Sequence, residues 1–267
     1  MTNDTVLVTR NGAIATLTLN RPAALNALDN AMVDAMFEAT SSIARDDNIR
    51  VVVLRGAGKH FMAGGDIRLF AESLDSRGAQ RTTEFRALID GVHATIELLA
   101  RMPQPVIAGV QGAVAGFGLS LTNACDLVYA CDDAYFASAY LQLGVTPDGG
   151  GTYWLPRLVG ARKAAEIMLL GDRFDAATAL SLGIVNRVVA AAELDATLTK
   201  AARRIAEGPV DAVRNLKRLL RESMQRTLSE QLHAEGDSFS RCAGTDDFVE
   251  GVRAFLEKRS AAFGANR

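Results

Sequence analysis

Pro105-Val106-Ile107-Ala108-Gly109-Val110-Gln111-Gly112-Ala113-Val114-Ala115-Gly116-Phe117-Gly118-Leu119-Ser120 is the stretch that decides the architecture. Its opening is an unbroken apolar run entered through Pro103 and Pro105, the pattern of a strand buried on both faces. Gly112, Gly116 and Gly118 then break the run, and a short helical segment leads to another strand at Leu127-Val128-Tyr129-Ala130. A strand that feeds a glycine turn and then a helix is the unit of α/β layering with mostly parallel pairing. Working outward, Val51-Val52-Val53-Leu54 is a second such strand. It ends at Gly56 and Gly58, and Lys59-His60-Phe61-Met62-Ala63-Gly64-Gly65-Asp66-Ile67 follows it. Ile184 to Val189 predicts a further strand.

The N-terminal side predicts a hairpin, with Val6-Leu7-Val8 and Ala13 to Leu19 joined at Asn11-Gly12. A helix is predicted from Asp29, a suitable N-cap, with Met32, Val33, Met36, Phe37 and Ile43 on one face. Character changes near residue 190. From Ala191 onward there is no strand signal, and the division expected is an α/β core over 1–190 and a helical region over 191–267. Gly208-Pro209 opens one helix with Pro at its first position and Val210, Val213, Leu216, Leu219 and Leu220 at helical spacing. Phe248, Val252, Phe255 and Leu256 mark another.

Composition bounds the function. The chain has 267 residues, 49% hydrophobic and 22% charged, with net charge −2, so a sizeable core is available and no basic excess argues for nucleic acid. Arg214, Lys217, Arg218 and Arg221 share one helix and read as its solvated face. The apolar runs are too short or too broken to span a membrane, and the polar N-terminus is unlike a signal peptide. Cys125, Cys131 and Cys242 form no C-x-x-C pair, which fits reduced thiols in the cytosol. His60, His93 and His233 lie far apart without ligand spacing, so no metal site is expected.

The two glycine-rich turns carry the chemical interest. Both follow strands, and ligands of open α/β sheets bind beyond the strands' carboxyl ends. Neither matches a dinucleotide or phosphate loop, and there is no G-x-S-x-G elbow. Small residues permit close approach to the main chain, so the turns can present backbone N–H donors at helix starts. Two such donors aimed at one point make an oxyanion hole. The plainer reading is that the glycines only make tight turns.

Several stretches narrow the choice. Asn20-Arg21-Pro22-Ala23-Ala24-Leu25-Asn26-Ala27-Leu28 resembles the N-R-P-x-x-x-N-A-L segment of the enoyl-CoA hydratase/isomerase (crotonase) family. Phe61 to Ile67 resembles its F-x-A-G-A-D-I loop, and Pro105 to Gly118 its second loop. Leu143-Gly144-Val145-Thr146-Pro147-Asp148-Gly149-Gly150-Gly151-Thr152 resembles its L-G-x-x-P-x-x-G-G-T. Gly171 to Phe174, Ala179, Gly183 to Asn186 and Glu250 to Arg259 match as well, in order and over nearly the whole chain.

The resemblance implies a spiral of strand–strand–helix turns, with C-terminal helices that build a homotrimer or hexamer. It implies an acyl-CoA thioester substrate, whose coenzyme A needs no separate cofactor beside it. The family's two oxyanion donors fall on the backbone N–H groups of Gly65 and Phe117, flanked by Gly64 and Gly116. Ala23, Leu25, Ala63, Asp66 and Ile67 fall where the family cradles CoA, largely through main chain.

The family's hydratases use two glutamates, and here those positions are Ser120 and Tyr140, which become candidates for lining the pocket. The remaining carboxylate is Asp148. From its residues alone Asp148 reads as a helix cap near Gly149 or Gly150. The resemblance to ring-epoxide and Δ3,Δ2-enoyl-CoA isomerases instead implies an acid/base role. Isomerisation requires one base that moves a proton between two carbons on one face, whereas hydration must also activate water. Three alternatives stand beside the isomerase: a hydratase using other groups, an enzyme in which Asp148 attacks an aryl-CoA, and a non-catalytic CoA- or RNA-binding relative. Phe136 and Trp154 are candidates for shaping the acyl pocket.

Overall fold

The computed structural model describes residues 4–264. The chain opens with β1 (Val6–Asn11) and β2 (Ile14–Leu19), an antiparallel hairpin turned at Gly12. Next come α1 (Asn30–Ala44), β3 (Val51–Gly56), α2 (Ile67–Glu72), α3 (Gly78–Arg101) and β4 (Val106–Val110). β5 (Ala113–Ala115), α4 (Phe117–Asn123), β6 (Leu127–Cys131) and β7 (Tyr135–Ala137) follow. The last part of the core comprises α5 (Gly151–Val159), α6 (Ala161–Leu170), β8 (Phe174–Asp175), α7 (Ala176–Ser181) and β9 (Arg187–Val189). Four helices end the chain: α8 (Leu194–Ala206), α9 (Val210–Ser223), α10 (Leu228–Ala243) and α11 (Asp246–Leu256).

The main sheet runs β1-β2-β3-β4-β6-β9, parallel from β2 onward, and a small second sheet runs β5-β7-β8. Alternation along the strands sends side chains to two cores. Val52, Leu54, Val106, Ala108 and Val110 join the large cluster with α1, α3 and α4. Val51, Val53 and Ile107 point the other way and pack against Leu194, Leu198 and Ala202 of α8. Strand signals do end near residue 190, but α8 beyond it covers one face of the sheet. The Asp29 cap is present, its carboxylate accepting from the Met32 N–H at 2.8 Å. Among the described residues no helix is long and apolar enough to cross a membrane.

Three expectations need correction. The strand predicted from Ile184 begins only at Arg187. Ile184 and Val185 instead donate their N–H groups to the Ala179 carbonyl, closing the end of α7, so neither is available to a ladder. Pro209 stands one residue before α9 as its N-cap, not at the first position. The basic face of α9 is not solvated throughout. Lys217 is only 6% exposed, with Nζ donating to the carbonyls of Leu99 (3.0 Å) and Gln104 (2.8 Å) and paired with Asp126 at 3.0 Å. The Leu99 carbonyl at the end of α3 has no helical partner and the Gln104 carbonyl lies in the loop that follows, and an ammonium with three donors satisfies both. Leu216 and Leu220 consequently face outward, 56% and 64% exposed.

Candidate active site

Two glycine turns meet beyond the ends of β3 and β5. Met62 donates to the Ala113 carbonyl at 3.0 Å and Ala115 donates back to Met62 at 2.9 Å, which stitches the first loop onto the second. Gly64 and Gly116 are in direct contact: a Cβ added to Gly116 would lie 3.4 Å from the Gly64 Cα. Gly116 also has φ +52°, a conformation only glycine adopts without strain. One residue further along each loop are Gly65 and Phe117. Among the described residues neither of their N–H groups has a protein acceptor. Phe117 opens α4, so its N–H belongs to the set every helix start leaves unpaired. The two N–H groups expected to form the hole are thus left without protein acceptors, on loops held against each other.

Arg21 locks the approach to this pair. Its guanidinium pairs with Asp29 at 3.0 Å and Asp66 at 2.8 Å, and it donates to the Ala27 carbonyl. Asp66 also caps α2 through the Arg68 N–H. Burial pushes the Asp66 carboxyl up, but Arg21 and the Arg68 N–H outweigh it and leave it below the usual carboxylate range. Its side chain is therefore structural. Ala63 donates to the Leu25 carbonyl at 3.1 Å, which joins the Pro22–Ala24 turn to the loop.

The third component is the turn after β7. Asp148 does not cap α5, whose N-cap is Gly150 with no side-chain bond. Its carboxylate accepts instead from the Tyr140 hydroxyl at 2.5 Å, and Ser120 Oγ lies 3.2 Å from that hydroxyl. Because Tyr140 donates to Asp148, Ser120 donates to Tyr140. The turn is pressed onto α4: a Cβ on Gly149 would come within 2.8 Å of the Phe117 ring, and one on Gly151 within 2.8 Å of Ser120 Oγ. That packing sets the turn carrying Asp148 against the Phe117 side chain. Burial raises the Asp148 carboxyl above its ordinary value, opposed by the Tyr140 hydrogen bond and, when its ring is charged, by the nearby His93. Burial and the Asp148 charge push the Tyr140 phenol up, so it remains a donor.

A cavity of about 980 Å³ joins these parts. Ala63, Gly64, Gly65, Ile67, Gly116, Phe117, Tyr140 and Asp148, all singled out in the sequence, line it together. Ala23, Leu25, Asp66 and Ser120 do not; Ser120 reaches it only through Tyr140. Phe136 is fully buried against Phe174, and Trp154 lines a different cavity, so neither shapes this one. Sequence reading missed the opposite wall, where Phe85, Ile89 and His93 of α3 face Phe70 of α2. Their helical spacing was visible, but spacing does not distinguish a pocket wall from core.

A family model described as enoyl-CoA hydratase/isomerase matches residues 9–266. The crotonyl-CoA hydratase of Syntrophomonas wolfei is 36% identical over 264 residues, 98% of this chain and 99% of that one. The 1,2-epoxyphenylacetyl-CoA isomerase of Escherichia coli is 36% identical over 252 residues, 94% of each chain. A solved enoyl-CoA hydratase from Polaromonas sp. JS666 matches at TM-score 0.90 and 34% identity, covering 97% of this chain and 99% of that one. The chain belongs to the enoyl-CoA hydratase/isomerase family and has the crotonase fold.

Proposed function

We propose that this chain is an enoyl-CoA isomerase in which Asp148 is the single acid/base. The observation that carries the reading is that Asp148 is the only carboxylate among the described residues lining the cavity. In this reading the thioester oxygen of a 3-enoyl-CoA accepts from the N–H groups of Gly65 and Phe117. Asp148 takes a proton from C2, and negative charge builds on that oxygen as the dienolate forms. The same carboxyl returns the proton to C4, which leaves the double bond between C2 and C3. No atom is gained or lost and no electrons leave the substrate, so the reaction needs no cofactor. Loss of one donor from such a hole costs roughly 3–4 kcal/mol of transition-state stabilisation.

Hydration requires a base on water in addition to an acid at C2. The family's two carboxylate positions hold Ser120 and Tyr140, and both are committed to orienting Asp148. The relatives' names include both reactions, so the test must compare them. Turnover of 3-enoyl-CoA and 2-enoyl-CoA should be measured side by side for wild type and Asp148→Asn. Conversion of the 3-enoyl compound that disappears in the variant, with binding retained, supports the isomerase. Efficient hydration that survives the substitution overturns it.

We also propose that the C-terminal helices join copies into a homotrimer or hexamer. Leu216, Leu220, Phe239, Phe255 and Leu256 are exposed on them, more apolar surface than a lone subunit ordinarily presents to water. Light scattering on the purified protein that returned a monomer's mass would refute this.

A further inference from the structure

We infer that neutral His93 is a positioning residue: it holds the Asp148–Gly149 peptide for proton transfer and releases it when protonated. The inference deepens the single-base reading and rests on it for its kinetic consequence. His93 ends a row on α3, after Phe85 and Ile89, that forms one wall of the acyl cavity. Its Nε2 accepts from the Gly149 N–H at 3.3 Å.

That bond bears on Asp148 directly. The carboxylate is anchored at one end by Tyr140, and the peptide that follows it is anchored by His93. Gly149 has φ +57° and its Cα lies against the Phe117 ring, so the peptide has little freedom to find another partner. With an acyl group in the cavity, water is displaced from this wall, and an unpaired N–H there would carry its full desolvation cost. An imidazole accepts through Nε2 only in its neutral form, and a second proton converts the acceptor to a donor facing another N–H.

The exposure of His93 fits this role. It stands in the partition between the acyl cavity and a second cavity of about 920 Å³ bounded by α3, α5 and α9. Asp148 and Tyr140 face it from the acyl side. On its own helix Glu97 lies one turn on, with Arg101 beyond it, and Asp90, paired with Arg86, lies just before it. Across the second cavity α9 presents Arg214, Lys217, Arg218, Arg221 and Glu222. Solvent in that second space can exchange a proton with the ring without entering the acyl site.

The test uses the full-length protein with His93→Leu, which has no acceptor, and His93→Gln, which accepts but does not titrate. Two measurements are made: amide hydrogen exchange over residues 147–151 of the free protein, and kcat and KM for 3-enoyl-CoA from pH 5 to 9. We expect faster exchange at Gly149 in the Leu variant, with protection restored by Gln. We expect kcat to fall about 10- to 100-fold in the Leu variant with KM little changed, the scale on which small misplacements act. The Gln variant recovers most of that loss and lacks one acid limb of the wild-type profile. Unchanged exchange and superimposable profiles in an active Leu variant would overturn the inference and leave the isomerase standing. A wild type that converts no 3-enoyl-CoA, yet shows His93-dependent protection of Gly149, would sink the isomerase reading and keep the positioning contact.

Discussion

Asp126 and Asp148 are both half-buried carboxylates, and they are treated in opposite ways. Asp126 is surrounded by charge and donors: Lys217 at 3.0 Å, Arg221 at 3.0 Å and the Val106 N–H at 2.8 Å. Arg221 also lies over the Trp154 ring at 4.6 Å, so the whole cluster is packed. Asp148 has no lysine or arginine partner among the described residues and one neutral hydroxyl donor. A carboxylate matched by cations is spent on holding elements together. One that burial raises, with a phenol as its side-chain donor, stays basic. The difference separates a charge that ties α9 to the sheet from one that, in the proposed reading, is kept for a proton transfer.

The comparison breaks most visibly under the same substitution at both sites. Asp148→Asn removes the base, and general acid/base groups contribute about 10²- to 10⁴-fold, so kcat for the 3-enoyl-CoA should fall by that much. Asp126→Asn should leave kcat per folded molecule near wild type. It strands the buried Lys217 ammonium, which breaking such a pair makes costly by about 3–5 kcal/mol, seen as a lower denaturation midpoint. Should Asp126→Asn abolish turnover in well-folded protein while Asp148→Asn does not, the two roles have been assigned the wrong way round.

A finer break is Tyr140→Phe. Hydrogen bonds to charged groups are worth about 1.5–3 kcal/mol, so losing this donor should lower kcat/KM roughly 10- to 100-fold at neutral pH. The sign of the pH effect follows from the contacts. Tyr140 holds the Asp148 carboxyl down against the push of burial, so without it the acid limb of the profile moves to higher pH. A limb that stays in place or moves down would show that the phenol does not donate to the catalytic carboxylate.

The sequence made the halves of this comparison unequally legible. The strands at Val51 and Val106, the hairpin at Gly12 and both glycine loops were readable, because unbroken apolar runs, turn dipeptides and glycine spacing are local properties. Asp148 was findable only by resemblance, since its own neighbours equally suited a helix cap. The Tyr140 donor that decides between these readings arrives from another turn of the chain. His93 carried no local signal at all. For α9 the helix was legible but its orientation was not: periodicity identifies two faces without saying which one is buried. Lys217 turns inward because the unpaired carbonyls of Leu99 and Gln104 await it. The capping box of α10 at Thr227 and Glu230 was visible in the sequence as T-L-S-E, yet its helix was left unread, as was the longer α3.

The smallest predicted effect concerns stability, and it sharpens the contrast in a second observable. The folded-state pKa of Asp148 is raised from the ordinary 3.8, so between 3.8 and that raised value the folded protein binds more protons than the unfolded chain. Stability from this group therefore falls as pH rises through that window, and above it the ionised carboxylate carries its whole desolvation cost. Asparagine at 148 keeps an acceptor for Tyr140 and removes that charge. Asp148→Asn should thus melt higher than wild type at pH 7, with the gap closing as pH falls towards 4. Each 1 kcal/mol gained corresponds to about 2–4 °C in a chain near this size. At Asp126 the same substitution should lower Tm, so opposite signs at two half-buried aspartates would separate the proposed base from the satisfied anchor without any assay of turnover. Equal destabilisation at both sites would mean that Asp148 is held as firmly as Asp126.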